Sequence, residues 1–348
     1  MIENLMDNFQ LDEIELFLEK YFATSKMRFE DMIKSLVSGD IKQILETFFQ
    51  MVSDQFFYEF RMTKSVMVHV LIIVIIAAVF HNFSNVFQNS QISEIGFFVL
   101  YMLLITICIN SFRLLVSSTM EGISGLLTFL KLLAPVYFLA VAFATGSATA
   151  IAFYNMVLIL VCIVEMLIQS ILLPFVQVYI VIRILNNLST EEYLSKLGEL
   201  LQTVITWSLR TLMGSVIGIN LIQGLLNPAI DSVKRSVITR GGEAIPIIGD
   251  VIGGTTEVVL GTAVLLKNGI GITGAIICVI LCMAPVVQMA VVTLLYKVVA
   301  ALIQPISNKR IVECISGMAD GTSILLRVLI TSCTLFLVTI AVVAVTTT

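Results

Sequence analysis

The stretch NGIGITGAIICVILCMAPVVQMAVVTLLY, residues 268–296, holds no Asp, Glu, Lys or Arg and is bounded by Lys267 and Lys297. About 20 apolar residues in a helix, rising about 1.5 Å each, are enough to cross a bilayer. Residues 65–93, between Lys64 and Glu94, are uncharged in the same way. The rest of the chain agrees: 58% of its 348 residues are hydrophobic and 13% charged, with a mean hydropathy of +1.02. A soluble domain carries roughly a quarter charged residues. The composition therefore reads as an integral membrane protein, all-α and polytopic.

Working outward, the apolar runs predict spans at 66–88, 95–117, 123–145, 149–187, 203–226, 250–266, 270–304 and 321–345. That is about eight crossings if each run passes once, with seven or eight as the range. The runs 149–187 and 270–304 exceed a hydrocarbon core of roughly 30 Å. Each contains a proline, Pro174 or Pro285, which removes a donor and kinks or breaks a helix. Each is expected to be one crossing that bends or extends past the membrane, with a re-entrant hairpin as the alternative.

Residues 1–64 hold 12 acids against 7 bases, and residues 65–348 hold 12 against 13. An acidic head thus precedes a membrane domain at 65–348. In LDEIELFLEKYF, residues 11–22, Leu11, Ile14, Leu18 and Phe22 share one helical face. The Phe-rich DIKQILETFFQMVSDQFFYEF, residues 40–60, is a second such piece. The head is expected to be a small helical cap on the membrane domain or on a partner, since an acidic helix suits a lipid surface poorly. Lys234, Arg235 and Arg240 in one connection and Lys309 and Arg310 in another share a side if eight spans exist, and the positive-inside rule makes that side cytoplasmic. The head then lies outside, which implies a signal peptide already removed.

Residues 113–226 and 231–345 each contain three expected spans, with a long proline-bearing one in the middle. An odd number of spans per unit would invert the second copy, the plan of many transporters. Scattered matches, such as ILNNLS with LIQPIS, carry this possible repeat.

Polar residues inside the spans are the functional candidates. Glu165, in VCIVEMLIQ, is deep in an apolar run, where a charge must be neutralised, paired or hydrated. Lys131, Arg210 and Arg327 can pair with it or snorkel to the interface; an ion pair and a polar path both remain open for Glu165. Glu243, Asp250 and Glu257 recur every seven residues. Pro246 suits a first helical turn, which leaves Glu243 in the loop, sets Asp250 at the helix N-terminus and buries Glu257 deepest. Gly214 with Gly218 and Gly249 with Gly253 have the G-x-x-x-G spacing of close helix packing.

Other motifs exclude chemistry. GIGITG, residues 269–274, lacks the preceding strand and following acid of a dinucleotide site. The six cysteines, among them Cys278 and Cys282, have no histidine near them in sequence, and metal spacing needs more ligands. No nucleophile–base pair or metal-ligand helix motif is present, so no catalytic, metal or cofactor-binding residue is expected, no enzyme activity and no nucleic-acid binding.

The stretches IPIIGDVI, VVLGTAVLLKNGIGITGAIICVILCMAPVVQM, LLYKVVAALIQPISNKRIVECIS, YMLLITICINSF and FATGSATAIAFYNMVLIL together resemble the stage III sporulation protein AE family. The likeness covers nearly the whole chain and is most specific between 245 and 316; members of that family begin with a signal peptide, which this chain does not show. The resemblance implies a subunit of a channel complex, a feeding tube between mother cell and forespore that is needed for forespore development and late gene expression. The implied partners are the other stage III A proteins and, through the complex, stage II sporulation protein Q. The implied location is the mother-cell-derived outer forespore membrane. Two roles follow from it, a subunit that lines a polar transport route or a non-conducting scaffold.

Overall fold

The computed structural model describes residues 11–21, 29–38, 90–145, 148–186, 193–242 and 253–346, with single positions between 49 and 76. Its described elements are helical: α1 (Asp12–Tyr21), α2 (Phe29–Ser38), α3 (Ser90–Thr145), α4 (Ala148–Leu167), a π-helical turn (Ile168–Leu172), α5 (Leu173–Asn186), α6 (Ser195–Gly242), α7 (Gly253–Ile303) and α8 (Lys309–Thr346). In a bilayer each backbone N–H and C=O must be satisfied within the segment, and long helices of Leu, Ile, Val and Ala do this locally.

The lengths correct the expected parsing. Spans 95–117 and 123–145 lie in the single helix α3, and the described part of 250–266 joins 270–303 in α7. Helix α3 has 56 residues, on the order of 80 Å at the α-helical rise. The sequence reads as two spans because SSTMEG, residues 117–122, and KNG, residues 267–269, are polar or glycine-bearing. Neither contains a proline, and each poor helix former costs only about 1 kcal/mol or less. Packing outweighs that: Ser118 donates to Gln288 of α7 and Lys267 is buried, while within α3 the Thr119 hydroxyl is satisfied by the Leu115 carbonyl.

Among the described residues, four helices are long and apolar enough to cross a membrane: Phe98–Val141, Leu158–Asn186, Val264–Ile303 and Lys309–Ala341. The count of about eight is not confirmed. The run at 66–88 falls outside the described residues but for single positions, and 203–226 lies within α6. Among the described residues, 231–345 hold the end of α6 with α7 and α8. The basic residues around 234–240 and at Lys309 and Arg310 flank the two ends of α7.

Both proline-bearing runs are continuous, with no hairpin. Helix α7 passes through Pro285, and α3 passes through Pro135. At Pro174 the ladder widens into the π-helical turn just before it, and Leu173 N–H bonds the Ile168 carbonyl. A proline ring crowds the carbonyl four residues back, so local widening of the ladder is a physical account of the π turn here.

The long helices pack antiparallel in a constant register. Ser111 bonds Tyr296, Ser118 bonds Gln288, Gly122 faces Pro285 and Gly274 faces Leu133, all between α3 and α7. Asn308 turns the chain from α7 into α8, its side-chain oxygen accepting from Arg310 N–H at 3.1 Å as an N-cap. Two apolar cores result. One joins Tyr101–Ile123 of α3 to α5, the end of α7 and the start of α8. The other joins Leu126–Val141 to Leu266–Cys282, the end of α8 and the head. Outward faces remain apolar, with Phe98, Met102, Ile159, Ile163, Met166 and Phe175 exposed. Such a surface fits lipid as its solvent better than water.

The described part of the head, α1 and α2, packs on α3 and α7. Ile14, Leu18, Phe29, Met32 and Ile33 are buried against α3 and α7, and Phe17 stacks on Phe129 with ring centroids 6.2 Å apart. Glu15 accepts the Glu30 backbone N–H at 3.2 Å, placing an acid at the N-terminus of α2, where the helix dipole favours it. Tyr21 sits on Gly125, and burial pushes its phenol above the ordinary tyrosine range. A Cβ at Gly125 would lie 2.8 Å from Tyr21 Cε2. Gly125→Leu should therefore lift α1 from α3; limited proteolysis of membrane-bound protein should release the first 38 residues several-fold faster, while the body stays intact.

Candidate functional site

Helix α4 carries Glu165 one turn before the π-helical turn, and α8 brings Ser332 to it. Both side chains are fully buried. Ser332 Oγ donates to Glu165 Oε2 at 3.2 Å, and Oε1 is buried with no hydrogen-bond partner among the described residues. The pair lies at the seam between the two cores: Val164, Ile168 and Leu329 belong to one, Val161, Cys333 and Phe336 to the other. One carboxyl and one hydroxyl therefore join α4 to α8 in an otherwise apolar layer.

The expected partners are not there. Lys131, Arg210 and Arg327 are all exposed, and none forms an ion pair with Glu165 among the described residues. Their long stems let the charges stay outside, which avoids the cost of burying a second ion. The ion pair that does join long helices is Arg183 of α5 with Asp320 of α8, at 3.6 Å, and the sequence reading missed it. Arg183 closes an apolar run and Asp320 lies outside the expected span, so only the register of α5 on α8 reveals them as partners.

Glu257 belongs to α7, and Asp250 and Gly249 lie outside the described residues, while Gly253 opens α7. Among the described residues nothing lies within 4 Å of a Cβ added at Gly214 or Gly218 of α6. Close helix packing instead uses Gly122, Gly274 and Gly321, whose added Cβ would press on Pro285, Leu133 and Ile180. The G-x-x-x-G spacing marks a groove but not whether a neighbour enters it. Cys278, Cys282 and Cys333 do meet side chain to side chain, between α7 and α8. Among the described residues no group of three His, Cys, Asp or Glu could hold a metal ion.

A family model described as stage III sporulation protein AE matches residues 27–347. The chain belongs to that family. A similar protein is the stage III sporulation protein AE of Bacillus subtilis (strain 168), 22% identical over 290 residues, covering 83% of this chain and 73% of the relative. No solved structure matches. As a stage III sporulation protein AE family member with apolar, membrane-length helices, the chain has a role in sporulation at a membrane. The matched residues include Glu165 and Ser332 and all the long helices, and begin at residue 27, after α1.

Proposed function

We propose that this chain is a multi-pass membrane subunit of the channel complex that links mother cell and forespore, and that within it the chain is a packed scaffold. Its partners are the other stage III A proteins and, through them, stage II sporulation protein Q. Its place is the mother-cell-derived outer forespore membrane, where the complex sustains forespore development and late gene expression. The observation that carries the scaffold reading is the burial of Glu165 and Ser332 at the closed seam of two apolar cores. A subunit conducting alone would keep its most buried carboxyl in contact with water.

One observation favours a polar route instead: Glu165 Oε1 has no donor, and a carboxyl oxygen left open suits a passing ligand. Reconstitution of the purified chain in liposomes separates the two readings. Liposomes containing the wild-type chain should retain a trapped small fluorophore as well as empty ones do, with partner proteins still captured. Efflux through the wild type that Glu165→Gln abolishes would overturn the scaffold reading.

A further inference from the structure

An apolar cavity of about 410 Å³, including its open mouth, lies beside α3. It is lined by Leu130, Ala134, Tyr137 and Phe138 of α3, Leu158 of α4 and Ile340 of α8. The hydroxyl of Thr339, also in the lining, is spent on the Leu335 carbonyl at 2.7 Å. So apolar a space holds water poorly. An apolar occupant is what its lining accepts.

Lys131 is on α3 beside the lining residue Leu130. It is exposed and takes part in no ion pair among the described residues. Ala134 and Phe138 lie three and seven residues on, the spacing of side chains on one side of a helix. Lys131 also falls inside the apolar span Phe98–Val141, where a cation is costly unless a counter-charge meets it. An apolar cavity and a cation with no ion pair among the described residues thus share one stretch of α3. In a bilayer one molecule satisfies both.

We propose that this cavity is a binding site for an anionic phospholipid, with an acyl chain between α3, α4 and α8 and the phosphate at Lys131. A choline lipid brings its own ammonium and leaves the lysine's charge less well matched. The site rests only on the chain's lying in a bilayer and does not depend on whether the subunit conducts or scaffolds.

The test uses the full chain, stripped of lipid in detergent, and dioleoyl phosphatidylglycerol carrying a diazirine in its acyl chain. Photolabel is expected on residues 130–138, 158 or 339–340, and unlabelled phosphatidylglycerol should compete better than the phosphatidylcholine of equal chains. Lys131→Gln should weaken phosphatidylglycerol roughly fivefold and leave phosphatidylcholine unchanged, the effect of one basic residue at an anionic headgroup. Ala134→Phe, which fills the cavity, should remove the label there; Ile340→Phe serves if the first variant loses its monodisperse elution. Label confined to outward faces such as Ile159–Met166 would overturn the site. Cavity label with equal competition by the two lipids, unchanged in Lys131→Gln, overturns the anionic assignment as well.

Discussion

Gly321→Val is expected to be among the most destabilising single substitutions in this protein. Gly321 lies where α8 crosses α5 and α3: an added Cβ would overlap Ile180 Cδ1 and Cγ1 and lie 3.0 Å from Phe112 Cε2. Ile180 and Phe112 are themselves buried in the same core, so neither can swing away cheaply. Overpacking of this kind costs about 1–3 kcal/mol, occasionally more. Removing a mid-helix glycine returns at most about 1 kcal/mol of helix propensity, so packing wins. Gly321→Ala should lower stability by about 1–2 kcal/mol and Gly321→Val by more, read as the temperature at which the detergent-solubilised protein loses its monodisperse peak. Ile180→Val deletes Cδ1, the atom an added Cβ meets first. The Gly321→Ala, Ile180→Val double variant should therefore lose less than the two single losses together, and strict additivity would sink this account of the crossing.

The second large effect is expected at the buried carboxyl. Ser332 is the donor to Glu165, whose other oxygen has no partner. Ser332→Ala strips that donor and leaves both oxygens buried without one, at a cost of about 1–3 kcal/mol. Replacing both partners by apolar groups of similar shape can be nearly neutral, so Glu165→Met with Ser332→Ala should recover most of that loss. The pair also discriminates function. If the chain is a scaffold, the double variant restores heat-resistant spore counts in a strain lacking the wild-type protein. If Glu165 serves a polar route, the variant folds normally and spore counts stay low. Stability recovered without sporulation would decide against the scaffold.

The class of the protein was legible because bilayer-length apolar runs, such as 268–296, are a direct physical signal. Helix boundaries inside those runs were not. SSTMEG and KNG look like connections by composition, yet backbone hydrogen bonding continues through both, supported by contacts of α3 with α7. Glu165 was legible as an anomaly, a lone acid amid apolar neighbours. Its partner was not, since Ser332 lies 167 residues away and a serine in a membrane helix is unexceptional. The expected cationic partners were reasonable by charge and fail by direction, because Lys131, Arg210 and Arg327 point outward on their helices. The glycines show the same limit: Gly214 and Gly218 have the packing spacing but meet no neighbour among the described residues, while Gly321, with the same spacing from Gly317, sits under Ile180.

By itself the sequence determined the solvent of this protein, its helical class and the amphipathic head, because hydropathy and period are properties of consecutive residues. It also carried the family, through stretches spread over most of the chain. Tertiary structure alone decided how many helices those runs make, which glycines admit a neighbour and which group meets Glu165. Those outcomes depend on the register of α3, α4, α7 and α8 against one another. Register is set by the packing of side chains far apart in sequence, and no local pattern records it.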